Sequence, residues 1–555
     1  EKLAQKMGLN TNPAIFFVSA ALTIFFVVSA ILFTDTVDLV FGSASNWILT
    51  HLGWLYILGV TTFLIFLIWI AASRYGHVRL GPSDSRPEYS NGNWFAMLFA
   101  AGIGSILMFW GVAEPISHFA EPPQRNVEPE SIAAAQEAMG FTLYHFGLHT
   151  WTIFCLPALA FAYFVYRKGL PFRVSSIFHP FIGERIHGPL GRTVDIIAVL
   201  GTLFGVAVTI GLGTLQINSG LHTLFGVEEN RLTQLILIAV VTTIAVISVA
   251  TGLDVGIKWL STINIVMAVA LLLFVFLAGS SLYLAKGIIE TAGVYLQWLI
   301  PLSFWNDTFG DTGWQGSWTV FYWAWTITWS PFVGIFVARI SKGRTIREFV
   351  LGVLAAPTAF SVVWFSVFGL SAFDIEMNQG GGLVQEVVVE GDIPGALFAF
   401  LEHYPLTTFV PAMSIVIVII FFTTSSDSAS LVVDMLCSGD AESPTRQRVF
   451  WGITEGVVAA TVLTASGVGG LDALQQTIIV FGLPFFIIGF FMMAGLVRSL
   501  QAEFTEGSGA QRERNAPLTT RARRRRRRIS RDEIGRRSQK REGDGGESDG
   551  GQAKR

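Results

Sequence analysis

The sequence predicts an all-α polytopic membrane protein with twelve transmembrane helices, and three observations carry that prediction. Of its 555 residues, 52% are hydrophobic and only 14% charged, against roughly 25% charged in an average soluble domain. The apolar residues come in blocks such as 13–33 and 47–72, each long enough to cross a hydrocarbon core of about 30 Å. Lys and Arg, finally, collect in alternate loops, as the positive-inside rule requires of a multi-pass chain.

The spans read in order as 13–34, 47–73, 93–119, 138–166, 193–224, 232–251, 257–285, 316–341, 347–372, 406–434, 448–466 and 474–499. Loops after the even spans, with the span ends that flank them, hold 15 Lys and Arg, among them Arg74, Arg79, Arg167, Lys168, Arg173, Lys342 and Arg344. Loops after the odd spans hold three, Arg125, Arg231 and Lys286. That asymmetry places both termini on the cytoplasmic side of the plasma membrane. The stretches 171–190, 286–310 and 391–403 have the pattern of short interfacial helices. Residues 500–555 carry 16 Lys and Arg against 9 Asp and Glu, while the rest of the chain carries 21 against 31. A basic tail on a membrane body, with the run Arg523–Arg528, points to anionic membrane lipids rather than nucleic acid.

Several function classes are excluded. Cys155 and Cys437 lie in apolar segments and build neither a disulfide framework nor a cysteine metal site. The first apolar block runs into a second, unlike a cleavable signal peptide. No nucleophile–base set or nucleotide loop is visible, so an enzyme is not expected and no cofactor is called for. His145 and His149 stand at i, i+4, a spacing able to hold a metal, but no carboxylate is expected beside them.

Function is expected where spans break their own rules. Span 3 contains Gly102-Ile103-Gly104-Ser105, which either unwinds the helix to free carbonyls for a ligand or packs helices closely through small residues. In span 8, Trp318, Tyr322, Trp325 and Trp329 follow i, i+4, i+7, i+11 along one face. They cover about 16 Å at 1.5 Å per residue, too deep for one interfacial belt, and Pro331 removes a backbone donor beyond them. Spans 1–4 and 8 are expected to offer no acid at mid-depth. An aromatic wall without an acid suits a methylated cation, held by attraction to ring faces. In span 10, seven of the ten residues Phe421–Ser430 carry a hydroxyl or carboxylate, a supply of hard oxygens for Na⁺ or of interhelical hydrogen bonds. Asp427 among them serves structure, a gate or an ion.

These residues also carry a resemblance. Ala100-Ala-Gly-Ile-Gly104, Phe109-Trp-Gly-Val-Ala-Glu-Pro115, Trp318-Thr-Val-Phe-Tyr-Trp-Ala-Trp325, Trp329-Ser-Pro-Phe332, the loop 338–349 and Thr424-Ser-Ser-Asp-Ser-Ala-Ser430 resemble the betaine/choline/carnitine transporter family. The likeness is strongest to the sodium-coupled glycine betaine symporters of actinobacteria. It implies a sodium-symporter-like fold with two inverted five-helix repeats, spans 3–7 and 8–12, assembled as a homotrimer. The implied organisation is a short cytoplasmic N-terminus (1–12), two peripheral helices (13–92), a first repeat (93–285), an interfacial helix and loop (286–315), a second repeat (316–499) and a basic cytoplasmic tail (500–555).

By position, the family's substrate site falls on Gly102, Gly104, Phe146, Trp151, Phe154, Trp325, Thr326 and Trp329. Its sodium site falls on the backbone of Ala100, Ile103 and Phe421 with the hydroxyls of Thr424 and Ser425. Phe146, Phe154 and Thr326 stand where the glycine betaine group carries Trp, Tyr and Trp. Each lost ring weakens cation attraction by about 0.5–2 kcal/mol. A second family sodium site uses two threonines of span 5; Thr202 is present, but Val206 replaces the other. The implied function is Na⁺-driven import of a betaine-like solute by alternating access, with the basic tail as an osmotic regulator. The substrate stays open among glycine betaine, choline, carnitine, ectoine, proline and sulfonium solutes. The alternatives are a sodium-independent exchanger of the same fold and a non-transporting osmosensor.

Overall fold

In a bilayer the backbone must satisfy its own polar groups, which leaves the helix as the form for a lone apolar run. The computed structural model describes residues 8–102, 104–124, 126–251, 254–440, 444–465 and 470–515, with the backbone alone at 99–102, 254–258, 465, 470 and 506–515. Every predicted span is helical there. Among the described residues, ten helical segments are long and apolar enough to cross a membrane. Of the other two predicted spans, the third is divided, and the helix of the eleventh, which begins at Thr445, carries Arg446, Arg448 and Glu455.

Helix α1 (Pro13–Leu32) is capped by Asn12, whose side chain accepts from the amides of Ala14 and Ile15. Only Phe33 separates it from α2 (Thr34–Ala72). The expected connection before span 2 is therefore helix, since no proline interrupts it. Span 3 is two helices, α3 (Asn91–Gly102) and α4 (Ser105–Ala120), with Gly104 extended between them. Span 4, read as continuous, is also two: α5 (Ile132–Phe146) and α6 (Leu148–Phe161), which ends in a wide turn through Arg167. The long helix α7 (Pro189–Phe225) follows three short turns over 174–187, in place of one interfacial helix.

Helices α8 (Arg231–Thr251) and α9 (Asp254–Ala278) complete the first half. Gly279 and Ser280 end span 7 earlier than expected, and α10 (Ser281–Phe304) takes the residues beyond. The second half comprises α11 (Phe321–Ile340) after a wide turn at Gly316–Val320, α12 (Ile346–Asn378), the short α13 (Ala396–Glu402), α14 (Phe409–Ser438), α15 (Thr445–Ala465) and α16 (Gly470–Asn515). A reciprocal capping box between Thr345 and Glu348 starts α12. The residues from Val497 onward form a separate contact unit, whose described part is the polar end of α16.

Pro331 was expected to interrupt span 8, yet α11 is continuous through it. The missing amide would leave the Ile327 carbonyl without its partner, and the Ser330 hydroxyl donates to that carbonyl at 2.7 Å. Thr326 and Thr328 likewise donate to the carbonyls of Tyr322 and Trp325.

The packing of the halves is reciprocal. α4 packs on α12 as α11 packs on α6; α7 packs on α15 as α14 packs on α8; and α7 meets α14, α8 meets α15. Counted in spans, each contact recurs with its members exchanged five positions on, the pattern of two five-span units about a pseudo-two-fold axis. An odd number of spans per unit makes the two cross in opposite senses.

Candidate functional site

A cavity of about 300 Å³ lies where the broken helices of the first half meet α11 and α14. The start of α4 contributes Gly104 and Ser105; Phe146, Thr150, Trp151 and Phe154 come from either side of the break in span 4. α11 gives Tyr322, Trp325, Thr326, Trp329 and Phe332, while α14 gives Phe421, Thr424, Ser425 and Ser428. Of the predicted substrate residues, all but Gly102 stand in this wall. Gly102 ends α3 two residues away. Of the predicted ion residues, Phe421, Thr424 and Ser425 are in the wall, Ala100 sits in the last turn of α3, and Ile103 lies outside the described residues.

The break in span 4 places the aromatic residues. At Gly147 the chain leaves the helical path, and a Cβ there would stand 2.5 Å from both the Leu143 carbonyl oxygen and Tyr295 Oη. The groups freed by the break are met by side chains. The Leu148 amide donates to Tyr295 Oη at 2.8 Å, and the Thr150 hydroxyl donates to the His145 carbonyl. Phe146 and Trp151 thus reach one cavity from opposite sides of a kink.

On α11 the expected stripe divides. Tyr322, Trp325 and Trp329 face the cavity, whereas Trp318 packs its ring 4.5 Å from His118 and 5.8 Å from Trp110. The indole N–H groups of Trp325 and Trp329 both donate to Thr209 Oγ1, each at 2.9 Å, and Thr209 donates in turn to the Gly205 carbonyl. Sequence reasoning missed Thr209, because a lone threonine in a span reads as an ordinary back-bonded hydroxyl. It also missed Asn264 of α9, a buried cavity residue whose amide has no protein partner among the described residues.

The hydroxyl run of α14 sorts by helical face. Thr424, Ser425 and Ser428 line the cavity, and Thr424 Oγ1 donates to the carbonyls of Ile420 and Phe421, leaving its lone pairs as acceptors. Ser426 and Asp427 turn to α15 instead, where Ser426 donates to Glu455 and Asp427 pairs with Arg448 at 3.5 Å. Asp427 is a structural member of the α14–α15 contact. In α7, Thr202 donates to the Ala198 carbonyl, and Val206 is a buried hydrocarbon.

One expectation is corrected by Glu114: a carboxylate does stand beside His145, with Glu114 Oε1, buried near the end of span 3, 2.5 Å from His145 Nδ1. The two residues are 31 positions apart, a distance no local spacing rule reaches. Glu114 is not part of the cavity wall, so the cavity's described lining contains no Asp or Glu.

A bundle of spans broken at its centre, with an aromatic and hydroxyl-lined cavity at the breaks, fits a membrane transporter. The comparisons give the family. The chain belongs to the betaine/carnitine/choline (BCCT) family of transporters, whose profile matches residues 14–505. It is 48% identical to an ectoine/glycine betaine/proline transporter of Corynebacterium glutamicum over 90% of this chain and 81% of that protein. A glycine betaine transporter of Acinetobacter baylyi is 42% identical over 92% of this chain and 76% of its own length. The high-affinity choline transport protein of Escherichia coli is 40% identical over 90% and 74%.

Proposed function

We propose that the protein imports a compatible solute of the glycine betaine type by Na⁺ symport with alternating access. The observation that carries this reading is the cavity itself, with the rings of Trp151, Trp325, Trp329, Phe146 and Phe154 around one space and the hydroxyls of Thr424 and Ser425 in its wall. A quaternary ammonium donates no hydrogen bond and is attracted by ring faces; a wall without carboxylates does not compete for it with a fixed charge. The relatives named for ectoine, glycine betaine, proline and choline transport agree with such a solute. Ectoine and proline gain weight beside glycine betaine, because Thr326 offers no ring where the glycine betaine group has one.

In this reading Na⁺ sits between the last turn of α3 and α14, on the backbone of Ala100, Ile103 and Phe421 with Thr424 and Ser425. Val206 has no side-chain oxygen, which argues against a second sodium at the family's position in α7. The termini are cytoplasmic, the tail beyond Leu500 engages anionic lipid, and three chains associate.

The test is uptake of radiolabelled glycine betaine into proteoliposomes with and without an inward Na⁺ gradient, with choline, carnitine, ectoine and proline as competitors. Accumulation only with the gradient supports symport, and the strongest competitor names the solute. Equal uptake without Na⁺, confined to vesicles preloaded with solute, makes the protein an exchanger. Thr424→Ala with Ser425→Ala raises the sodium concentration needed for half-maximal uptake; an unchanged dependence moves the ion elsewhere. Truncation before Gly507 abolishes activation by hyperosmotic shock if the tail is the sensor.

A further inference from the structure

Beside the cavity but outside its wall, Glu114 and His118 on α4 meet His145 at the end of α5, next to the wall residue Phe146. All three side chains are at most 1% exposed. Glu114 Oε1 lies 2.5 Å from His145 Nδ1 and 3.2 Å from His118 Nε2, and one donor atom from each residue falls within 4.8 Å of the others. Two further atoms of the cluster, Glu114 Oε2 and His118 Nδ1, are buried without a protein partner among the described residues. The surroundings supply no balancing cation. The rings of Trp314 and Trp318 pack on His118, that of Tyr322 on His145, and no Lys or Arg bridges Glu114 among the described residues.

We propose that Glu114, His118 and His145 form a site for one divalent transition-metal ion of the zinc class. One donor atom from each of three buried ligand-type side chains converges on one point, and no Lys or Arg bridges the carboxyl group among the described residues, so the place suits a cation. Two imidazole nitrogens and one carboxylate are a donor set for zinc, whereas Na⁺, Mg²⁺ and Ca²⁺ take oxygens. His145 has the outer partner that a metal-bound imidazole uses, since its Nε2 lies 2.8 Å from Thr319 Oγ1. On binding, the ion takes the place of the proton shared between Glu114 Oε1 and His145 Nδ1; with the remaining proton of each imidazole on the nitrogen facing away, Nδ1 of His145 and Nε2 of His118 present lone pairs to the ion. The displaced proton leaves to solvent, Glu114 binds as the carboxylate, and its Oε2 supplies a fourth donor. The ion joins α4 to α5, and Thr319 extends the link toward the start of α11.

The experiment uses the full chain, purified in detergent, stripped with a chelator and dialysed to equilibrium against Zn²⁺ or Co²⁺. The expected result is one ion per chain, a tetrahedral Co²⁺ absorption band, and a higher melting temperature with Zn²⁺ than without. Glu114→Gln and His118→Ala abolish all three responses, while His149→Ala, whose Nε2 contacts Ser303 instead, keeps them. Thr319→Val, which leaves every ligand in place, weakens binding about 10- to 100-fold and keeps the proposal testable if a ligand variant fails to fold. Less than a tenth of an ion per chain, or stoichiometric binding that survives both Glu114→Gln and His118→Ala, overturns the site. None of these readouts depends on transport.

Discussion

Span 4 and span 8 both carry a residue that opposes a helix, and only one of them breaks. In span 4 the residue is Gly147, and the chain kinks, since Tyr295 of α10 holds the Leu148 amide and Thr150 holds the His145 carbonyl. In span 8 the residue is Pro331, and the helix runs on, because Ser330 covers the one carbonyl the proline abandons. The weaker helix breaker by propensity makes the break. What decides is where the freed backbone group finds its partner: on another helix, which holds the chain off its path, or on the neighbouring side chain, which holds it on.

That comparison predicts a descending series of effects. Gly147→Val places branched carbons against a carbonyl and a phenol that both already serve the kink, and costs about 3 kcal/mol as overpacking with backbone strain; denaturant unfolding in detergent reads it, and a stable Val variant would show that the kink can relax. Tyr295→Phe leaves the buried Leu148 amide unpaired and costs about 1–3 kcal/mol in the same assay, with no loss if water reaches the kink. Trp329→Leu, on the unbroken helix, removes the indole donor to Thr209 and the Gly205 carbonyl and with it a ring worth about 0.5–2 kcal/mol to a bound cation. The KM for a quaternary solute then rises about 2- to 30-fold; an unchanged KM removes Trp329 from the binding wall. Ser330→Ala is the smallest, about 0.6 kcal/mol as for other hydroxyls inside membrane bundles. Its cost disappears in the Pro331→Ala background, where the backbone supplies the missing donor, and a double-mutant cycle measures that coupling.

The spans were legible because twenty apolar residues in a row have one structural outcome in a bilayer. Gly104 and the ring face of α11 were legible for a related reason: periodicity and composition are local. Gly147 was not, since a glycine in an apolar run looks alike whether it packs or kinks, and Tyr295, which decides the matter, lies 147 residues from the amide it holds. Pro331 was misread for the opposite reason, its remedy being an adjacent serine that by composition alone counts as one more polar residue. The cavity's membership came from stripe and resemblance together. Thr209, Asn264 and Glu114 needed the third dimension, as each is one polar residue in a span whose role is set by helices distant in sequence.

Thr209 has a consequence for how the cavity meets its ligand. A hydroxyl has one donor and two lone pairs, and here all three are spoken for: the donor by the Gly205 carbonyl, the lone pairs by the two indoles. The oxygen is saturated, so it is a hinge pin for two rings and not a contact for a solute. Both rings are held in orientation by the protein's own hydrogen bonds, which spares an arriving ligand the ordering of two side chains, about 0.5–1.5 kcal/mol each. The shape that selects a solute is thus already set by a residue the solute does not touch.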